Sequence, residues 1–293
     1  LLTSKKDKAF AVPLLLLFLQ GTDFKVNTTM EIAGKVTLVT GAGRRLGKSI
    51  ALALADCGAD VVVHYRNSRE QAIMVRQDIL AKGCRSWLSE HDLAEVKETE
   101  SWFADIEKKT GGIDILINSA SEYPRTAYES MNARDLDRSM GIHVHSPLIM
   151  IRAMSRRMKR NKQRGAVVNI LDSKLADPRH VAYHLGKIAL QALTRDLAVE
   201  MGRVLRISAV APGNILPPNS EEMNPLDRRE SLSGSNTTSI PAGIAVGSNP
   251  LGILGASKDI SDAVIYLLRA DFVTGVTLHV DGGLHLGSST YEL

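Results

Sequence analysis

Residues 36–56 read VTLVTGAGRRLGKSIALALAD: a short β-branched apolar run, a glycine-bearing turn, then an alanine-rich stretch of helical character. That order, strand then turn then helix, is the strongest constraint in the chain. Gly41 allows a tight turn, and Gly47 allows the helix to sit close to the sheet. The unpaired amides at the start of such a helix suit a pyrophosphate. Arg44, Arg45 and Leu46 belong to the same turn.

The next apolar run, ADVVVHYRNS, ends at His64, Tyr65 and Arg66. A site that prefers NAD usually carries an acid here for the ribose 2′-hydroxyl, and none lies near this strand end. Arg66 is available instead, with Arg44 or Arg45 from the turn. A guanidinium is permanently charged and presents a planar fork of donors, which suits a 2′-phosphate. The expected cofactor is therefore NADP(H).

The alternation continues. A short strand leads to His91, Asp92 and Leu93; GIDILINSAS is a strand ending in a small polar loop at Asn118, Ser119, Ala120 and Ser121; residues 133–160 are helical with an interruption at His143–Pro147. GAVVNILDS, a helix from Val181 to Met201, RISAVAPGN with Pro212 and Gly213, the helix ISDAVIYLLR and the strand GVTLHVDGG complete the chain. Sustained strand–helix alternation predicts a doubly wound, mostly parallel α/β sheet with helices on both faces. Ligands of such sheets sit at the carboxyl ends of the strands, so these loops should converge in one cleft.

Aromatic residues are only 4% of the 293, so the core must be aliphatic. The net charge of +4 suits an anionic cofactor weakly, and the one basic run, Arg152–Arg164, reads as a solvated helix face rather than a nucleic-acid surface. Cys57 and Cys84 are expected as reduced thiols, and the scattered histidines give no persuasive metal spacing, so no metal is expected. Residues 1–30 form a separate extension: Lys5, Lys6 and Lys8 precede an apolar stretch resembling a signal-peptide core, too short to span a bilayer comfortably. Targeting, an artefact of the assumed translation start before Met30, and an added packing element all stay open. The main domain, 31–293, is expected to be cytoplasmic without stable membrane insertion. Residues 213–249, rich in Ser, Asn, Gly and Pro, read as a substrate lid or an unstructured insertion.

Tyr183 and Lys187 stand four apart in a helical segment and share a face. A phenol near pKa 10 is a poor acid–base group at neutral pH, and a neighbouring ammonium is expected to lower it. Asp172 and Ser173, just upstream, are placed to orient a substrate or relay a proton.

These pieces together, TGAGRRLG, NSAS, YHLGK, APGN and VTGVTLHVDGG, resemble the short-chain dehydrogenase/reductase family from about Lys35 to Gly283. Within it the chain looks most like pteridine reductases, which carry arginine or lysine where Arg45 stands, an HYRNS-like second strand end, and aspartate where Asp172 replaces a catalytic serine. The resemblance implies a single-domain Rossmann-type fold and hydride transfer from NADPH to the C=N bond of a dihydropterin or folate. Tyr183 would be the proton donor, Lys187 would hold the nicotinamide ribose, and Asp172 would act as relay. Ser121 and Tyr123 would contact the pterin, and the assembly would be a homotetramer. His143 replaces the family's helix asparagine, and Ser119 its second loop asparagine. The Asp172–Tyr183 spacing is shorter than the family's, a departure that puts the placement of Asp172 beside the phenol in question. An NADPH-dependent carbonyl reductase (ketone, quinone or 3-oxoacyl) and a non-catalytic cofactor-binding module are the alternatives.

Overall fold

The computed structural model describes residues 30–174, 178–215 and 249–287. The N-terminal extension and nearly all of the expected lid lie outside the described residues.

Seven strands form one parallel sheet: β1 (Val36–Val39), β2 (Asp60–Tyr65), β3 (Ser86–Glu90), β4 (Ile115–Asn118), β5 (Gly165–Ile170), β6 (Leu205–Pro212) and β7 (Thr277–Val280). Their order is β3-β2-β1-β4-β5-β6-β7. Between them run α1 (Arg45–Asp56), α2 (Arg69–Ala81), α3 (Val96–Thr110), α4 (Ala133–Met140), α5 (Ser146–Asn161), α6 (Val181–Met201) and α7 (Ser257–Arg269).

Strands β1, β2, β4 and β5 are buried along their whole length, which is why they read as apolar runs rather than alternating ones. Successive residues still face opposite layers. Val39, Val61, Val63, Ile115 and Ile117 pack with Ile50 and Leu54 of α1, Ile79 of α2 and Val264 of α7. Leu38, Val62, Leu116 and Val167 pack with Phe103 of α3 and Met150 and Met154 of α5. The topology is thus the doubly wound single domain expected from the alternation.

The chain winds outward through β1, β2 and β3, then returns to place β4 on the other side of β1. The crevice of such a sheet opens where the order reverses, here between the ends of β1 and β4. Gly41 and Ala120 meet there: a Cβ on Gly41 would lie 2.9 Å from the Ala120 Cα. The helical interruption expected at His143–Pro147 is a π-helical turn at Gly141–His145, joining α4 to α5. Such turns are found mostly at functional sites.

The basic run lies on α5 and its exit. Most of its charges are exposed, but Arg157 is buried and ion-paired with Glu107 at 2.9 Å and with Asp114 at 3.5 Å. Both cysteines are free thiols. Among the described residues no helix is long and apolar enough to cross a membrane.

Candidate active site

The glycine turn is held from below. Gly41 has φ +68°, and its N–H donates to His64 Nδ1 at 3.0 Å, while His64 Nε2 donates to the His91 carbonyl at 3.1 Å. Burial lowers the His64 pKa to about 4, so the ring is neutral and can accept from Gly41. A Cβ on Gly47 would sit 2.2 Å from the Gly41 carbonyl oxygen, so only glycine lets α1 start this close to the turn. Arg45 adopts φ +52°, a conformation that favours glycine.

The N-terminus of α1 carries no side-chain cap and no acid in its first turn. Its amides remain directed at the crevice, where a diphosphate fits. The residues present therefore fit a dinucleotide, with Gly41, Arg44, Arg45, Leu46 and Gly47 around its diphosphate.

Thr40, which the sequence reading passed over, fixes the facing loop. Its hydroxyl donates to the Ile117 carbonyl and accepts from the amides of Ser119 at 2.9 Å and Ala120 at 3.0 Å. Behind it, Asn118 Nδ2 donates to Asn169 Oδ1 at 2.7 Å, and Asn169 Nδ2 donates to Thr194 Oγ1 at 2.9 Å. That chain ties β4 and β5 to α6. Asn169 and Thr194 were invisible in sequence because their partners come from three separate elements.

Several residues expected against the cofactor have side chains buried or bonded within the protein. His64 and Asn118 are buried and bonded within the protein. Tyr65 is buried with its hydroxyl donating to Glu90, and Leu93 packs in the core beside Phe103. Pro212 accepts from the Ser173 amide, and Gly213 lies tightly against Asp281.

At the end of β2, Arg66 forms ion pairs with Glu122 and, at 3.8 Å, with Asp92. No acid stands at this strand end, as the sequence reads, but the fold brings two beside Arg66. Neither acid is on its own strand; the β3 and β4 ends bring them. Arg138 of α4 joins the group, reaching Glu122 at 2.7 Å and Asp92 at 3.0 Å; partial burial pushes the Asp92 carboxyl up, but the Ala94 amide together with Arg138 and Arg66 holds it below its usual range. These four side chains line a cavity of 730 Å³.

The chemistry-bearing residues meet at the other end of the crevice. The Tyr183 hydroxyl donates to Asp172 Oδ2 at 2.6 Å, so the short spacing does not draw Asp172 away. Lys187, 2% exposed, donates to the Ile170 carbonyl at 2.7 Å and lies 5.6 Å from the Tyr183 ring centroid. The expected lowering of the Tyr183 pKa is corrected: burial and the Asp172 charge raise it well above the ordinary value. Burial also lowers Lys187 to about 8, with Asp172 opposing that shift. Ser173 turns away, donating to the Ala211 carbonyl at 2.9 Å.

Tyr123 stacks on His180 at 3.7 Å between ring centroids and stands edge-on to Tyr183 at 4.6 Å. Tyr123 and His180, with Asp172, Gly213 and Asn214, border a smaller cleft of 250 Å³. Ser121 contacts His143 at 3.0 Å, and His143 stands edge-on to Tyr183.

One histidine cluster was missed in the sequence. His279, Asp281 and His285 place their ligand atoms within 4.8 Å of one another. The two imidazoles are stacked at 3.9 Å with planes 20° apart, so a single ion cannot lie in both ring planes as they stand. Asp281 instead accepts from the amides of Gly283 and His285 and from the His285 ring.

A family model described as Enoyl-(Acyl carrier protein) reductase matches residues 41–285, which is most of the chain. The protein is a short-chain dehydrogenase/reductase. The chain is 29% identical over 257 residues to 3-oxoacyl-[acyl-carrier-protein] reductase FabG of Staphylococcus aureus, covering 86% of this chain and 98% of that one. Acetoin dehydrogenase from Enterobacter cloacae superposes with TM-score 0.77 at 25% identity, covering 91% of this chain and 100% of the other. FolM alternative dihydrofolate reductase 1 from Brucella canis, solved with NADP, superposes with TM-score 0.74 at 28% identity, covering 90% and 98%.

Proposed function

We propose that this reductase uses NADPH to reduce a carbonyl group of a small organic molecule, with Tyr183 giving the proton. The protein is an NADP(H)-dependent oxidoreductase. The observation that carries the reductive direction is the Tyr183–Asp172 bond of 2.6 Å in a buried setting. It keeps the phenol protonated, and a protonated phenol is an acid for reduction rather than a base for alcohol oxidation. Carbonyl reduction is supported by the FabG and acetoin dehydrogenase relatives.

Bound NADPH supplies the hydride. Tyr183 turns its hydroxyl from Asp172 to the substrate and protonates the atom that gains charge. Lys187, buried beside it, stabilises negative charge left on the phenolic oxygen and lies where a nicotinamide ribose would be held. Tyr123 and His180 offer a stacked aromatic wall for a flat substrate. Gly41, Arg44, Arg45, Leu46, Gly47, Ser119, Ala120 and Gly213 would line the cofactor, with Arg66 for its 2′-phosphate. His64, Tyr65, Asp92, Leu93, Asn118 and Pro212 would support them from behind. A homotetramer in the cytoplasm is part of this proposal on family likeness alone.

A second reading is favoured by one residue. Asp172 places a carboxylate where a carbonyl reductase would more often carry serine. A carboxylate opposes negative charge growing on a carbonyl oxygen but favours a C=N nitrogen that takes up a proton. Reduction of a dihydropterin or folate would use it, and the FolM structure supports that reading. The deciding assay is NADPH oxidation with 3-oxoacyl thioesters, small ketones, quinones, dihydrobiopterin and dihydrofolate, each repeated with NADH. Carbonyl turnover supports the first reading and turnover on the pterins alone the second. NADPH binding without turnover removes both.

A further inference from the structure

Basic side chains gather at the cleft of 250 Å³ beside Tyr183. Lys174, Arg179 and His180 border it, and among the described residues Asp172 is its only carboxylate. That carboxylate is already engaged on both oxygens. Oδ2 accepts from the Tyr183 hydroxyl at 2.6 Å and Oδ1 from the Lys174 amide at 2.7 Å. Lys187 donates to the Ile170 carbonyl at 2.7 Å and does not border the cleft.

The backbone that carries these side chains is held in place. The amide bond from Lys174 to Asp172 fixes one edge of the cleft. At the other edge the Arg179 carbonyl accepts from the Thr126 amide at 2.8 Å, and the Val181 amide donates to the Thr126 carbonyl at 3.3 Å. The Thr126 hydroxyl accepts from the Ala182 amide at 3.2 Å, and Thr126 itself is buried. The His180 ring is fixed as well, because a carbonyl can only accept: Nδ1 donates to Pro124 at 2.8 Å while the ring face stacks on Tyr123. Lys174 and Arg179 are exposed, so their charges stay solvated until a ligand arrives.

We infer that this cleft takes substrates carrying an anionic group, a carboxylate or a phosphate, near the bond being reduced, with Arg179 and Lys174 recognising it. A guanidinium offers a planar fork of donors that matches either group, and an ammonium adds a point charge. Asp172 repels an anion. The acidic end of the substrate therefore lies toward Arg179 and Lys174, and its reacting end lies toward Tyr183. Charge thus orients the substrate as well as holding it. A cleft this small takes a compact acid or the acidic end of a larger molecule. The inference rests on the reductive reading above and deepens it, since an oxo acid and a folate with its carboxylates both meet the requirement.

The test uses the full chain and substrate pairs that differ in charge around the same carbonyl. Acetoacetate against methyl acetoacetate probes a carboxylate, and dihydroxyacetone phosphate against dihydroxyacetone probes a phosphate. With NADPH the charged member of at least one pair should exceed its neutral partner in kcat/KM by on the order of tenfold to a hundredfold, mainly through KM. The pair that shows the gain names the group. Arg179→Gln should bring that ratio close to one, and Arg179→Lys, which keeps the charge but loses the fork, should restore part of it. Equal kcat/KM within both pairs, or a ratio unmoved by Arg179→Gln and by Lys174→Gln, overturns the inference and leaves the reductase reading standing. Binding is read without turnover by phenylglyoxal labelling of Arg179 and peptide mass spectrometry. Protection by acetoacetate or dihydroxyacetone phosphate, and not by their neutral partners, supports the anion site even where no substrate is reduced. Labelling unaffected by either anion overturns it.

Discussion

Arg66, at the end of β2, is ion-paired with Glu122, the residue between Ser121 and Tyr123 on the loop after β4. The side chain expected to meet the cofactor phosphate is thereby joined to the loop expected to meet the substrate. In the proposed role of Arg66 a 2′-phosphate would have to take it from this carboxylate, and Arg138 is already in place to keep Glu122 when it does. That role would link cofactor binding to the loop after β4 through one acid.

Glu122→Gln removes the competitor for Arg66. NADPH affinity should rise, by no more than about fivefold because a half-exposed pair contributes roughly 1 kcal/mol or less. NADH affinity should not move. Fluorescence titration of both cofactors decides this, and an equal gain for NADH would show that the pair does not compete with the phosphate.

Tyr183→Phe keeps the aromatic packing against Tyr123 and His143 but removes the proposed proton donor. Turnover should fall on the order of a hundredfold to ten-thousandfold, with NADPH affinity nearly intact. Retained turnover would mean that another group gives the proton.

Lys187 titrates near pH 8 in the folded chain, below its ordinary 10.5. Its charge opposes that of the phenolate formed as Tyr183 gives up its proton, so activity should decline as pH rises through about 8. The stability effect has the opposite sign. Between about 8 and 10.5 the unfolded chain holds a proton that the native Lys187 has released, so this group's contribution to stability increases with pH there. Pre-steady-state hydride transfer and chemical denaturation across that range separate the two.

His64 is held near pKa 4 against an ordinary 6.5. Its neutral ring supports Gly41, and between those values the unfolded chain binds a proton that the native one does not. Its stabilising contribution is therefore complete above pH 6.5 and is lost as pH falls toward 4, by on the order of 3 kcal/mol. Urea melts at several pH values should show a weaker acid dependence in His64→Gln, which keeps an acceptor without titrating.

Much of this architecture was legible in the chain. The mostly apolar, β-branched runs at 36–39, 60–65, 115–118 and 165–170 are buried strands, and the helix at Val181–Met201 falls where its pattern places it. Tyr183 and Lys187 share a face because helical spacing alone sets that. The Asp172–Tyr183 bond was not readable from spacing, since residue count along a loop says little about where a carboxylate ends. Nor was the raised Tyr183 pKa. The ammonium was visible as a neighbour in sequence, while the burial and the closer acid that outweigh it belong to the folded chain.

The sequence by itself determined the fold, the glycine turn and the residue types at the crevice, because periodicity and glycine placement are local properties of a chain. Tertiary structure alone decided which of those residues are exposed at the crevice and which are buried behind it, how Arg66 is paired, and that Asp172 meets Tyr183. Those depend on groups brought together from β2, β3, β4, α4 and α6. Their charges and protons are settled by burial and by partners far apart in sequence.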